Sequence, residues 1–99
     1  MAVVYILFSE QLDRLYIGSC QNIEVRFRQH RQNIFGNSYT RNANDWVVYF
    51  TIEGLQYKQA RLIEAHIKRM KSKIYIKNLS NYPDLVEKLI LRYTEGSSR

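Results

Sequence analysis

Two short apolar runs close to the N-terminus constrain the fold of this chain more than any other feature. The first run covers residues 2–8 (AVVYILF) and the second covers residues 15–19 (LYIGS). Both runs are rich in β-branched and aromatic side chains, and the stretch between them, residues 9–14, is polar. Short apolar runs of this kind, separated by a polar turn segment, are typical of two antiparallel strands. The pattern therefore predicts a β-hairpin at the start of the fold.

The hairpin is expected to bring two tyrosines together. Successive side chains alternate between the two faces of a strand. Tyr5 therefore shares a face with Val3 and Leu7, and Tyr16 shares a face with Gly18. Antiparallel pairing places such faces side by side, and a glycine leaves room for a ligand. A hairpin does not need two phenols on one face for its stability, but a site that handles phosphate can use them.

The rest of the chain predicts one further strand and several helices. We expect helices at residues 22–32, at 56–70 and from about residue 83 onward, and a third strand at 46–52. Residues 73–79 are either a short helix or irregular. The order β-β-α-β-α-α predicts an α/β (α+β) fold, with a small three-stranded sheet, mixed or antiparallel, flanked by helices. The third strand is apolar on both faces, which predicts that it is the central one.

The helix predicted at residues 56–70 carries an apolar stripe. At helical spacing, this stripe is expected to face the core and to consist of Leu62, Ile63, His66, Ile67 and Met70. Glu64 lies beside the stripe and shares a helix face with Lys68. At this spacing, a weak ion pair with Lys68 is the ordinary structural explanation of Glu64.

Length and charge limit the organisation and the partners. Ninety-nine residues suit one domain, which we expect at residues 1–94, followed by a flexible tail at 95–99. The chain has 15 Lys and Arg against 9 Asp and Glu, a net charge of +6. This balance favours nucleic acid or another polyanion as partner, although many small proteins are basic without such a role.

The single cysteine and the lack of long apolar runs exclude disulfide-stabilised, cysteine-metal and membrane-spanning classes of protein. The single cysteine, Cys20, excludes an internal disulfide and a cysteine-cluster metal site. The N-terminus lacks the pattern of a signal peptide, and no apolar run approaches the length that spans a membrane. We therefore expect a soluble cytoplasmic protein without a membrane partner.

Five residues with chemically useful side chains stand where core packing does not require them: Tyr5, Tyr16, Arg26, His30 and Glu64. Phosphodiester hydrolysis needs a group that activates water and positive charge for the phosphate oxygens. The planar fork of arginine matches phosphate, and one carboxylate can anchor Mg²⁺, which keeps several waters. Each residue alone has an ordinary structural explanation, but together they predict a phosphate site.

Residues 3–79 resemble the GIY-YIG nuclease domain, especially its small single-domain members. The matching segments are residues 3–5 (VVY), 16–18 (YIG), 22–30 (NIEVRFRQH), 60–64 (ARLIE) and 77–79 (KNL). They correspond to the two halves of the named motif, the arginine helix, the glutamate helix and a late asparagine motif. Val3 stands where the motif's name has glycine, and small members of the family often carry a β-branched residue there.

The resemblance implies a DNA endonuclease that uses one divalent ion, Mg²⁺ or Mn²⁺. In such an enzyme Tyr5 would act as general base or position the water, Tyr16 would contact the phosphate, Arg26 would stabilise the transition state, His30 would hydrogen-bond within the site and Glu64 would hold the metal. Gly18, Ser19 and Asn78 would support the site. A phenol has an unperturbed pKa of about 10, so as a base it would need help from a cation.

Basic residues are expected to hold the phosphate backbone through salt-dependent contacts. The candidates are Arg28, Arg31, Arg41, Lys68, Lys71, Lys73 and Lys77. DNA repair or recombination is the expected context, RNA is not excluded, and a protein partner that supplies targeting stays open. Two alternatives remain: a non-catalytic nucleic-acid-binding module of the same fold, and a protein-interaction module with a basic face.

Overall fold

The computed structural model describes residues 1–31 and 45–94, apart from the side chains of four residues in the first helix, Phe27, Gln29, His30 and Arg31. Its elements in chain order are β1 (Ala2–Ser9), β2 (Arg14–Cys20), α1 (Ile23–Arg31), β3 (Val47–Leu55), α2 (Tyr57–Met70), α3 (Lys73–Asn81) and α4 (Pro83–Arg92). The predicted α+β class is confirmed. The segment after α2, which the sequence left between helix and irregular structure, is the helix α3, so the described order contains one helix more than predicted. The tail at 95–99 lies outside the described residues.

The three strands form an antiparallel sheet in the order β2-β1-β3. The predicted hairpin of β1 and β2 is therefore confirmed, but the prediction that β3 is the central strand was wrong. β1 is central, since it pairs with β2 on one side and with β3 on the other. On the edge strand, Val47, Val48 and Tyr49 are 50%, 41% and 41% exposed. β3 also continues beyond residue 52, its predicted end, through Gly54 as far as Leu55.

The two faces of the sheet belong to two separate cores. Val4 and Ile6 of β1 pack into the larger core, which joins the sheet to helices α2, α3 and α4. Tyr5 and Leu7 point to the other face, where they pack with Cys20 and Trp46. The predicted alternation along β1 is thus confirmed, and Tyr5 belongs to the smaller core.

Helix α2 buries a narrower stripe than its sequence predicts. Ala60, Ile63 and Ile67 are almost fully buried against the sheet. Leu62 and Met70, which were expected in the stripe, are 42% and 44% exposed, so for these two residues the prediction was wrong. The reason is that α2 packs on β1 and β2 through Ala60, Ile63 and Ile67, and Leu62 and Met70 lie outside this contact.

The two helices that follow start at recognisable sequence signals, a capping serine and a proline. Ser72 precedes α3, and its hydroxyl accepts a hydrogen bond from the backbone N–H of Tyr75 at 3.1 Å. Pro83 occupies the first turn of α4, where its missing N–H costs nothing. Within residues 1–31 and 45–94, no helix is long and apolar enough to cross a membrane.

Candidate active site

A cleft of about 270 Å³ lies where β2, α1 and α2 meet. Its walls are formed by Tyr5, Tyr16, Gly18, Ser19, Arg26, Tyr57, Arg61 and Glu64. Four of the five predicted catalytic residues therefore line one cleft, although they come from four different elements. Almost every lining side chain carries a hydroxyl, a guanidinium or a carboxylate, so the cleft suits a polar, charged ligand.

The register of the hairpin places the two phenols. Tyr5 pairs with Gly18, and Leu7 pairs with Tyr16, so both tyrosines project from the same face, one step apart diagonally. Their ring centroids are 6.3 Å apart with an angle of 29° between the planes. On its other side, Tyr16 meets the buried ring of Trp46 edge-on at 6.5 Å. The hairpin and the smaller core therefore hold both rings in place.

Gly18 is needed for steric reasons. A Cβ at this position would lie 2.5 Å from Oη and 2.6 Å from Cζ of Tyr5. Real Cβ atoms essentially never come so close to another heavy atom. The tyrosine hydroxyl thus occupies the space that any side chain at residue 18 would need, which links the glycine of the second motif half to the tyrosine of the first.

The environment of Tyr5 favours the neutral phenol. Burial raises its pKa well above the ordinary value of 10.0, and the neighbouring Tyr16 raises it further. The guanidinium of Arg26 acts in the opposite direction but does not overcome burial. At neutral pH Tyr5 is therefore a hydrogen-bond donor, and Arg26 alone does not make it a base.

Helix α1 carries Arg26 to the cleft. Asn22 caps the helix, as its sequence predicts, because its Oδ1 accepts a hydrogen bond from the backbone N–H of Val25 at 3.1 Å. Arg26 follows within the next turn and lines the cleft. The backbone of His30 lies one turn further on, but its side chain is outside the described part of the chain, so its role in the site stays a prediction.

Glu64 is held at the edge of the cleft by two partners. It comes one residue after the buried Ile63, so α2 places it where the sheet ends, beside β2. Ser19 Oγ donates to Glu64 Oε1 at 2.5 Å, and Lys68 Nζ donates to Oε2 at 2.7 Å. The side chain of Glu64 is only 17% exposed. Both carboxylate oxygens are therefore oriented by the protein itself.

The donor set fits a single hard cation with few protein ligands. In residues 1–31 and 45–94 no three His, Cys, Asp or Glu side chains cluster as a metal site would require, and Glu64 is the one carboxylate among the described cleft residues. Mg²⁺ commonly binds through one or two carboxylates, keeps several waters and takes other ligands from substrate phosphates. A partly buried, hydrogen-bonded carboxylate beside an otherwise cationic and hydroxylic cleft fits that mode of binding.

Tyr57 and Arg61 are cleft residues that the sequence reasoning missed. Arg61 Nη1 donates to Tyr57 Oη at 2.9 Å, and its guanidinium carbon lies 5.7 Å from the centroid of the tyrosine ring. Both residues are exposed. Their spacing from Glu64, seven and three residues, places all three on one face of α2. That spacing is the signal by which they could have been found.

A basic groove of about 430 Å³ lies next to the cleft, between β2, the end of α2 and the start of α3. Its cationic side chains are Arg14, Lys68, Lys71 and Lys73. Lys73 Nζ is 3.1 Å from the backbone oxygen of Asp13 and 3.4 Å from its Oδ2, which ties the hairpin turn to α3.

The other predicted supporting and binding residues lie elsewhere. Arg28 on α1 and Lys77 on α3 are exposed, and Asn78 on α3 is half-buried. None of the three is among the residues that line the cleft or the groove, so their roles stay predictions. The side chain of Arg31 and the whole of Arg41 lie outside the described residues.

Comparison with known proteins covers most of the chain. The family model described as the GIY-YIG catalytic domain matches residues 1–80 of 99. No curated protein and no solved structure gives a significant match. The matched segment contains all the residues that line the cleft.

Proposed function

The chain belongs to the GIY-YIG catalytic-domain family, and we propose that it is an endonuclease that hydrolyses DNA phosphodiester bonds with the help of one divalent cation, Mg²⁺ or Mn²⁺. Domains of this family are nuclease domains in general, and their substrate is DNA. The observation that carries the proposal is the convergence of Tyr5, Tyr16, Arg26 and Glu64 on one cleft.

Each cleft residue has a task that its environment suits. The neutral hydroxyl of Tyr5 orients the attacking water by hydrogen bonding. Tyr16 contacts the phosphate from the same face of the hairpin. The guanidinium of Arg26 binds phosphate oxygens and stabilises the charge that grows on them in the transition state. Tyr5, Tyr16 and Glu64 are held in place by protein contacts before the substrate binds, and such preorganisation is the condition for electrostatic stabilisation to be large.

The cation would be held by Glu64. When bound, it supplies positive charge to the phosphate and relief to the leaving oxygen. Ser19 orients the carboxylate from one side, and Lys68 neutralises it on the other until a cation binds.

The basic groove supports DNA as the substrate. Lys68, Lys71 and Lys73 place positive charge next to the cleft, where they would hold the backbone through contacts that weaken with salt. We propose branched or flapped DNA of repair or recombination as the natural target. Phosphate contacts carry no base information, so a partner protein could supply the choice of site.

The proposal is tested by cutting assays. Wild-type protein is incubated with flapped, branched and linear DNA, with Mg²⁺ or with EDTA, beside Glu64→Gln and Arg26→Ala. We expect cutting that needs Mg²⁺ and that both substitutions abolish. Lys88→Ala, which removes an exposed cation on α4 away from the cleft, is the matched control and should cut like wild type.

A second variant separates chemistry from binding. Tyr5→Phe removes only the hydroxyl, so it should lose cutting and keep DNA affinity in fluorescence anisotropy. Cutting by Tyr5→Phe at the wild-type rate would exclude the proposed task of that phenol. Salt-sensitive binding without cutting by wild type would instead indicate a binding module, and the lack of both would leave a protein-interaction module.

A further inference from the structure

Helix α2 presents one row of long polar side chains along its length. The row consists of Tyr57, Arg61, Glu64, Lys68 and the C-cap residue Lys71. The intervals are four, three, four and three residues, which keeps all five on one stripe of the helix. Neighbours in the row also touch, since Arg61 donates to Tyr57 at 2.9 Å and Lys68 donates to Glu64 at 2.7 Å.

This α2 row lines both depressions of the surface in turn. Tyr57, Arg61 and Glu64 belong to the cleft, and Lys68 and Lys71 belong to the basic groove. The ion pair between Glu64 and Lys68 marks the border between the two. The cleft and the groove are therefore consecutive parts of one path along the helix.

The charges of the α2 row are arranged around the carboxylate. Arg61 is the cation on the N-terminal side of Glu64, and Lys68 and Lys71 are the cations on its C-terminal side, all three exposed. From Arg61 to Lys71 the helix rises by about 15 Å at ~1.5 Å per residue. That distance corresponds to roughly four nucleotides, because each nucleotide of a strand advances by ~3.4 Å.

We infer that one DNA strand crosses the cleft along α2, so that Arg61 and Lys71 bind phosphates on opposite sides of the bond that is cut. The inference rests on the proposed function, because Glu64 marks the position of the reacting phosphate. Exposed cations on both sides of a catalytic carboxylate complement a polyanion that passes over it. Arg61, which the sequence reasoning did not single out, then becomes a residue that positions the substrate.

Backbone-neutralised DNA tests this path directly. The probe is a fluorescein-labelled flapped DNA that carries a single neutral methylphosphonate, moved one position at a time across the junction. Affinity is measured by anisotropy in EDTA, where no cutting occurs. For wild type, neutral phosphates on both sides of the cut bond should weaken binding.

Each variant should remove the sensitivity of binding to neutral phosphates on one side of the cut bond. Arg61→Ala should become insensitive to neutral phosphates on one side, and Lys71→Gly on the other. Each variant should also lower the slope of log affinity against log salt by about 0.7 to 0.9, the value for one phosphate contact. Lys58→Ala, which removes an exposed lysine of the same helix outside the row, should keep both sensitivities and the slope.

Lys71→Gly also excludes unfolding as an explanation. Lys71 has φ 48° and ψ 41°, a left-handed conformation that glycine adopts without steric cost. The variant should therefore raise the urea midpoint while it weakens DNA binding. If Lys71→Gly lost DNA binding and also had a lowered urea midpoint, the loss of binding would be explained by unfolding, and the result would count against the inference.

The outcomes separate the inference from the proposed function. If both variants lose sensitivity on the same side, if neither differs from Lys58→Ala, or if wild type does not bind the probe, the strand does not follow α2. A protein that cuts DNA but gives one of these results contradicts the inference alone. If neutral phosphates on both sides of one position weaken binding but the protein never cuts DNA, the result supports the strand path along α2 and contradicts the proposed nuclease activity.

Discussion

The contact between Gly18 and Tyr5 predicts how the fold responds to one added methyl group. In Gly18→Ala the new Cβ would lie 2.5 Å from Tyr5 Oη, and ordinary contacts begin at 3.4 Å. Tyr5 is 1% exposed and packs in the smaller core, so its ring cannot shift without disturbing its neighbours there. Overpacking lowers the stability of a core by about 1–3 kcal/mol, whereas the change from glycine to alanine within a strand raises it by about 0.5–1 kcal/mol. We expect a net loss of up to about 2.5 kcal/mol in the free energy of unfolding.

The same methyl group should affect catalysis more than stability. To reach an ordinary contact, the hydroxyl of Tyr5 must move by about 0.9 Å relative to residue 18. A displacement of about 1 Å in a catalytic group can lower the rate by roughly 100-fold. Cutting of flapped DNA by Gly18→Ala should fall by that order, while DNA affinity, which depends on exposed cations, stays within about twofold of wild type.

A double-mutant cycle in urea tests the reasoning. Tyr5→Leu removes both Oη and Cζ, the two atoms that the methyl group would meet most closely. In that background Gly18→Ala should no longer destabilise and should gain about 0.5–1 kcal/mol. The expected coupling between the two positions is therefore about 1–3 kcal/mol. An equal cost of Gly18→Ala in both backgrounds would refute the steric argument.

Three further predictions concern other polar contacts. Ser19→Ala should weaken Mn²⁺ binding in calorimetry by about 10- to 100-fold, because Ser19 orients Glu64. Ser19→Thr should restore the Mn²⁺ affinity. Equal affinities of wild type and Ser19→Ala would contradict this role of Ser19. The hydroxyl of Ser9 and then the turn backbone lower the pKa of Asp45 below 3.8, so its stabilising effect is present above that pH and is lost as the pH falls further. In urea titrations at decreasing pH, the free energy of unfolding of Asp45→Asn should therefore fall less in acid than that of wild type. Parallel curves of unfolding free energy against pH for the two proteins would contradict this prediction. Burial, and then two nearby arginines, lower the pKa of His66 below 6.5, so protonation opposes folding as the pH falls below that value. His66→Phe should show a flatter dependence of unfolding free energy between about pH 7 and pH 5, and an unchanged slope would exclude this cause.

The sequence best predicts those features that depend on residues close together along the chain. The meeting of Tyr5 and Tyr16 follows from alternation in two strands joined by a short turn, and the structure confirms it. The contact between Ser19 and Glu64 spans 45 residues, and no periodicity predicts it. The sequence singles out Glu64 as a carboxylate beside the apolar stripe and places Lys68 on its helix face, but the contact with Ser19 is visible only in the structure.

The errors also have physical causes. An apolar strand such as β3 can lie at an edge, because residues such as Val47 keep their β propensity when half-exposed. Leu62 and Met70 were assigned to the core because the sequence does not tell how wide a surface α2 covers. Arg61 was missed because a charged residue on a helix is normally solvated, and only the position of the cleft distinguishes it.

The central position of β1 has a consequence for how this protein can change. Tyr5 is at once part of the smaller core and part of the cleft, so most substitutions there should alter the proposed chemistry and the stability together. Arg61 and Lys71, in contrast, are exposed and have little packing to lose. Substrate preference can therefore diverge at the exposed cations of α2 at little energetic cost, while the proposed chemistry stays tied to the buried Tyr5 and the partly buried Glu64. An engineer who wants a new target for this domain should vary Arg61 and Lys71 and leave Tyr5 and Glu64 untouched.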